Sequence, residues 1–96
     1  MIKTFKNKLA ENLFNGVTSK ETRKFPQELK AATIRKLTMM DAATQLQTLM
    51  VPPGNKLEAL SGERAGQHSI RINDQWRICF EWTPSGPDNV EVIDYH

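Results

Sequence analysis

The residues best suited to chemistry lie near the end of the sequence. Asp94-Tyr95-His96 follows the alternating run Asn89-Val90-Glu91-Val92-Ile93, and the run Trp76-Arg77-Ile78-Cys79-Phe80-Glu81-Trp82 precedes it with the same period of two. If the two runs are neighbouring strands, Arg77, Tyr95 and His96 come within reach of one another. A guanidinium, a phenol and an imidazole suit a phosphodiester: one group stabilises negative charge on phosphorus and the others move protons. RNA can cleave itself with that help alone. Its 2′-hydroxyl attacks phosphorus, a base takes the proton, and an acid protonates the departing 5′-oxygen. Arg71 and Arg77 are the natural phosphate clamps, since guanidinium meets phosphate oxygens in pairs. Arg64, in Ser61-Gly62-Glu63-Arg64-Ala65-Gly66, is a third. Tyr95 can stack on a base or donate its proton. His96 belongs to the residue type whose unperturbed pKa suits proton transfer near neutrality, and Asp94 can orient it or act as a base. A structural reading stands beside each of these. His96 can be a frayed surface residue, Arg77 can pair with Glu81 or Glu91, and Arg64 with Glu58 or Glu63. His68, at the head of a strand, reads as structural, and Cys79 has no evident activating partner.

These residues need a scaffold. Met1–Phe5 reads as a short first strand and Lys6–Asn15 as a helix stopped by Gly16. Thr18–Lys24 reads as a polar connection, and a second helix starts at Phe25-Pro26. Asp41 suits the N-cap of a third, which Pro52-Pro53-Gly54 ends. His68–Ile72 and Trp76–Trp82 alternate and should form a hairpin through Asn73-Asp74-Gln75. Residues 83–88 read as a longer loop before a last strand, 89–95. The expected fold class is α+β, with N-terminal helices packed on one face of a small antiparallel sheet. Ile70, Ile72, Trp76, Ile78, Phe80, Trp82, Val90 and Val92 would face the helices. Ser69, Arg71, Arg77, Cys79, Glu81 and Tyr95 would line an open face, either a binding surface or simply solvated.

Composition narrows the class. The 96 residues, 39% hydrophobic and 25% charged, read as one domain, 1–96. No apolar run approaches the roughly 20 residues of a membrane helix, and the first residues lack the apolar stretch of a signal peptide. One cysteine permits no internal disulfide, so the cytoplasm is the expected compartment. No cluster of ligands suggests a metal, and no cofactor is expected. Net charge is only +2, but nine Lys/Arg against three acids fall in residues 1–40, and four against eight in the remainder. A basic half of that kind attracts nucleic acid or an acidic partner, or is a solvated helix surface.

The strings Met1–Phe5, Leu60–Phe80 and Val90–His96 resemble the HigB-type toxins of the RelE/ParE superfamily. Within them, the G-x-R-x-G-x-x-S-I-R-x-N-x-x-W-R core and the terminal D-Y-H carry the likeness. The resemblance implies a RelE-like fold and an mRNA interferase, a metal-independent endoribonuclease that cuts messages on the ribosome. It also implies neutralisation by a HigA-like helix-turn-helix antitoxin and contact with operator DNA through that antitoxin. It places catalytic roles on Arg77, Asp94, Tyr95 and His96, and substrate binding on Arg64, Arg71 and Asn73. Some relatives carry His and Lys where this chain has Glu58 and Ser61, so Glu58 becomes the candidate base and cleavage should be weaker. The alternative within the superfamily is a ParE-like toxin that binds DNA gyrase and cuts nothing.

Overall fold

The protein is described by a computed structural model covering residues 1–95. Helix α1 (Lys8–Asn15) starts where Asn7 accepts the Ala10 N–H on its side chain. It ends where Gly16, at φ +71°, turns its N–H back to the carbonyls of Asn12 and Leu13. Helix α2 (Lys20–Lys24) was not expected. A reciprocal cap between Ser19 and Thr22 nucleates one turn inside the basic stretch read as a connection. A 3₁₀ turn, Gln27–Leu29, leads into helix α3 (Lys30–Ala42). Within α3 the buried hydroxyl of Thr33 is satisfied by the Leu29 carbonyl at 2.8 Å.

The expected third helix is absent as such. Only a 3₁₀ turn, Leu46–Met50, forms there. Asp41 lies in the last turn of α3, and its carboxylate accepts the Ile2 backbone N–H at 2.8 Å. A group suited to a local cap is thus engaged by a residue 39 positions away.

The sheet contains β1 (Glu58–Ala59), β2 (His68–Arg71), β3 (Trp76–Thr83) and β4 (Gly86–Asp94), antiparallel and in that order. The β2–β3 hairpin forms as expected. Asn73 Oδ1 accepts the N–H groups of Gln75 (2.9 Å) and Trp76 (2.7 Å) and so builds its turn. The expected long loop 83–88 is instead a two-residue turn, because Thr83 pairs with Gly86. Pro87 is tolerated in β4 because its carbonyl serves the outer neighbour, accepting the Lys3 N–H at 2.8 Å. The register then slips between Cys79 and Glu81, where Asn89 takes a left-handed φ of +49°. The first residues join the sheet through one parallel bridge, Phe5 to Val90, rather than as a full strand.

That edge is fastened by Asp88. Thr4 Oγ1 donates to its carboxylate at 2.5 Å, and the Asn89 N–H donates at 2.9 Å. The Thr4 bond chiefly, and the Asn89 bond after it, hold the carboxyl below its usual range. A depressed folded value means stability that is present above the ordinary carboxylate pKa and lost as pH falls through the folded one. The Val90 N–H, which donates to Thr4 at 3.0 Å, should therefore lose exchange protection below about pH 4. In Asp88→Asn that loss should no longer depend on pH; an unchanged profile would dissociate Asp88 from the edge.

The helices cover one face of the sheet. Leu13, Phe25, Leu37, Met40 and Leu49 meet Ile70, Ile78, Phe80, Val90 and Val92, all 2% exposed or less. Ile72, Trp76 and Trp82 pack on this core half-buried. The second face is less open than alternation suggests: Ser69 and Cys79 are fully buried and Glu91 nearly so. Among the described residues no helix is long and apolar enough to cross a membrane.

Candidate active site

Arg77 is the centre of the second face. Its position on β3, between Arg71 on β2 and Ile93 on β4, places its side chain among those of β1, β2 and the chain end. One guanidinium nitrogen donates to Ser69 Oγ at 2.8 Å and another to Glu58 Oε1 at 3.1 Å. The guanidinium carbon lies 5.4 Å from the centre of the Tyr95 ring, within cation–π range. Tyr95 is held there by its backbone N–H, which donates to the Gln75 carbonyl at 2.6 Å. The Arg77 side chain is 14% exposed and that of Glu58 52%. The structure thus offers a rigidly oriented cation, a reachable carboxylate and an aromatic ring with a hydroxyl on one surface.

Arg77 pairs with Glu58, not with Glu81 or Glu91, and the register explains this. Glu58 lies opposite Ser69, one strand from Arg77. Glu81 falls beyond the register slip and accepts from Asn89 instead. Arg64 takes Glu91, at 2.8 Å, and also donates to Gln67 at 3.0 Å. Its pairing is therefore neither with Glu58 nor with Glu63. The Glu91 bond, foremost, and the nearby Cys79 and Tyr95 raise the Arg64 pKa against the lowering effect of burial. Arg71 is paired with Asp74 within its own hairpin.

Two other residues read as site groups are placed elsewhere. Asn73 spends its side-chain carbonyl on the hairpin turn. Asp94 lies opposite Trp76, one position out of phase with Arg77 and Tyr95, and accepts from Gln75 Nε2 at 2.9 Å. Alternation puts it on the helix-facing row. His96 lies outside the described residues. Burial pushes the Cys79 thiol up despite Arg64 nearby, so it is a poor nucleophile. His68 stacks on Phe80, with ring centres 6.1 Å apart, which fits its structural reading.

Sequence reasoning missed the Ser69 hydroxyl, which orients Arg77. The period-two pattern placed both on one face, but only the strand register brings them into contact. The Arg64–Glu91 pair was also missed, and it makes a prediction. Removing Arg64 strands a nearly buried carboxylate, so Arg64→Ala should cost about 1–3 kcal/mol in chemical denaturation. Adding Glu91→Gln should restore part of that loss. Strict additivity of the two changes would show that the pair does not hold the 60–67 segment down.

A small α+β protein with helices on one face of an antiparallel sheet and a basic cluster on the other has the architecture of a RelE-like toxin. Residues 3–96 match the family described as RelE-like toxin of type II toxin–antitoxin system HigB. Toxin HigB-1 of Vibrio cholerae is 40% identical over 78 residues, covering 81% of this chain and 80% of that protein. Endoribonuclease HigB of Proteus vulgaris is 34% identical over 97 residues, covering both chains in full. The chain belongs to the HigB-like family of type II toxins, whose partner is an antitoxin.

Proposed function

We propose that this toxin is a metal-independent endoribonuclease that cuts mRNA on the ribosome and so blocks translation. The observation that carries the reading is the Arg77 guanidinium, fixed by Ser69 and Glu58 beside Tyr95. The relative named as an endoribonuclease supports it across the whole chain. The ParE-like alternative, gyrase binding without cleavage, has no support in these matches.

In this mechanism Arg77 binds the non-bridging phosphate oxygens and stabilises the charge that grows as the 2′-oxygen attacks. Glu58, exposed and within ion-pairing distance of Arg77, accepts the 2′-hydroxyl proton. Tyr95 stacks on a base or donates a proton to the leaving 5′-oxygen, with His96 as the second candidate acid. Asp94 acts through Gln75 and the chain end rather than on the phosphate. Arg71 guides the strand, while Arg64 and Asn73 keep the site in shape. Residues 1–96 work as one domain in the cytoplasm. A HigA-like helix-turn-helix antitoxin neutralises the toxin and carries it to operator DNA.

Primer extension on a defined message, in a purified translation system with and without ribosomes, tests the reading. Ribosome-dependent cuts that vanish on Arg77→Ala/Tyr95→Phe would support it. No cuts at any enzyme level, by a protein that still arrests the growth of cells, would sink it.

The Glu58 site makes a further prediction. Glu58 is bonded to Arg77 in the ground state and must turn from it to reach the 2′-hydroxyl, and Ser61 supplies no charge to the phosphate. Glu58→His/Ser61→Lys should raise the cleavage rate by about tenfold or more, within the usual range of one general-base contribution. A double variant that cuts no faster would show that neither position limits the reaction.

A further inference from the structure

A cleft of about 270 Å³ lies between α3 and the turn Pro53–Asn55, lined by Arg35, Lys36, Met39, Pro52 and Asn55. Its floor is built, not incidental. Asn55 is completely buried. Its amide donates to the carbonyls of Leu49 (3.1 Å) and Val51 (3.3 Å), and its Oδ1 accepts from Lys36 Nζ at 2.5 Å. The turn therefore grips the lysine and aims it. One ammonium N–H is spent on Asn55 and two remain.

No carboxylate answers that charge: among the described residues Lys36 enters no ion pair. Burial first, then the nearby charges of Arg35 and Arg71, hold its pKa below the usual lysine range. Arg35 and Lys36 repel each other within the cleft, Arg71 adds to that repulsion from nearby, and a bound anion relieves it. The anion's class follows from the surroundings. Arg71, close enough to Lys36 to lower its pKa, lies directly across the hairpin from Arg77 and so links the charge of the cleft to that of the second face. Met39 and Pro52 add an apolar wall suited to the edge of a sugar.

We propose that this cleft binds a backbone phosphate of the RNA strand whose reacting phosphodiester Arg77 holds, with Lys36 as the principal contact and Arg35 as the second. The proposal rests on the ribonuclease reading for its choice of RNA, but its test measures binding, not cleavage. Lys36 is a positioning residue: it fixes the strand and touches no reacting atom.

The test uses a 2′-O-methyl RNA oligonucleotide, which cannot be cleaved, titrated against the whole protein at several salt concentrations. Lys36→Met should weaken binding by about tenfold and flatten the log K against log salt slope by about 0.7. Lys36→Arg should recover most of the affinity, and Arg35→Gln should show a smaller loss. Lys20→Met, on exposed α2, is the control for general positive charge. Because Lys36→Met also strips Asn55 of a partner, its fold is checked by thermal melting; if it melts early, Arg35→Gln decides.

An equal loss in Lys20→Met would overturn the proposal, and so would wild-type affinity in Lys36→Met and Arg35→Gln. Lost affinity for the antitoxin with RNA binding intact would assign the cleft to an acidic segment of that partner and overturn it too. Lys36-dependent RNA binding in a protein that cuts no message would keep the site and remove the ribonuclease reading.

Discussion

Arg77→Ala should lower message cleavage by about 10²–10³-fold, the usual effect of removing one preorganised group that stabilises transition-state charge. The expectation rests on how Arg77 is held. Separate nitrogens engage Ser69 and Glu58, and the Tyr95 ring lies alongside, so the guanidinium has little freedom to lose when substrate arrives. Arg77→Lys should fail to restore the rate, because a single ammonium cannot reproduce the fork that spans Ser69 and Glu58. The change also leaves the buried Ser69 hydroxyl without its donor, so a stability cost of about 1–3 kcal/mol should accompany it. Single-turnover cleavage measured beside chemical denaturation separates the two effects. An Arg77→Ala protein that is destabilised yet cuts at the wild-type rate would take Arg77 out of the chemistry.

Phe80→Ala should have the largest effect on the fold, about 3–5 kcal/mol. Phe80 is the largest of the fully buried side chains and lies where β3 and β4 slip register. A domain of this size has only about 5–15 kcal/mol to lose. At about 4–8 °C per kcal/mol, the melting temperature should fall by at least about 12 °C. The neighbouring ladder also carries Cys79 against Glu91 and Arg77 against Ile93. Weakening it should therefore loosen the site before the molecule unfolds. Faster amide exchange at Arg77 and Tyr95 than in α1 would show this. A drop of only a few degrees would mean that the core closes over the missing ring.

The readable parts of this chain were local. Gly16 stops α1 because only the left-handed region lets its N–H turn back on the helix. The alternation in 68–72 and 76–82 marks a hairpin because neighbouring side chains in a strand must take opposite faces. For the same reason Arg77 and Tyr95 could be placed on one surface before any coordinates. The local signals that misled were those with a distant competitor. Asp41 looked like a helix cap but is taken by the Ile2 N–H, and the proline-rich stretch 83–88 looked like a loop but pairs with both β3 and the N-terminal residues.

Composition, periodicity and the motif strings determined the α+β class, the helix-facing core row, the HigB resemblance and the shared surface of Arg77 and Tyr95. Each of these depends on residue type and spacing within a short window. Tertiary structure alone decided that Glu58 rather than Glu81 or Glu91 meets Arg77. It alone committed Arg64 to Glu91 and set Lys36 beside Arg35 and Arg71. These outcomes depend on strand register and on loops returning across the sheet, and one residue of slip exchanges every side chain between faces.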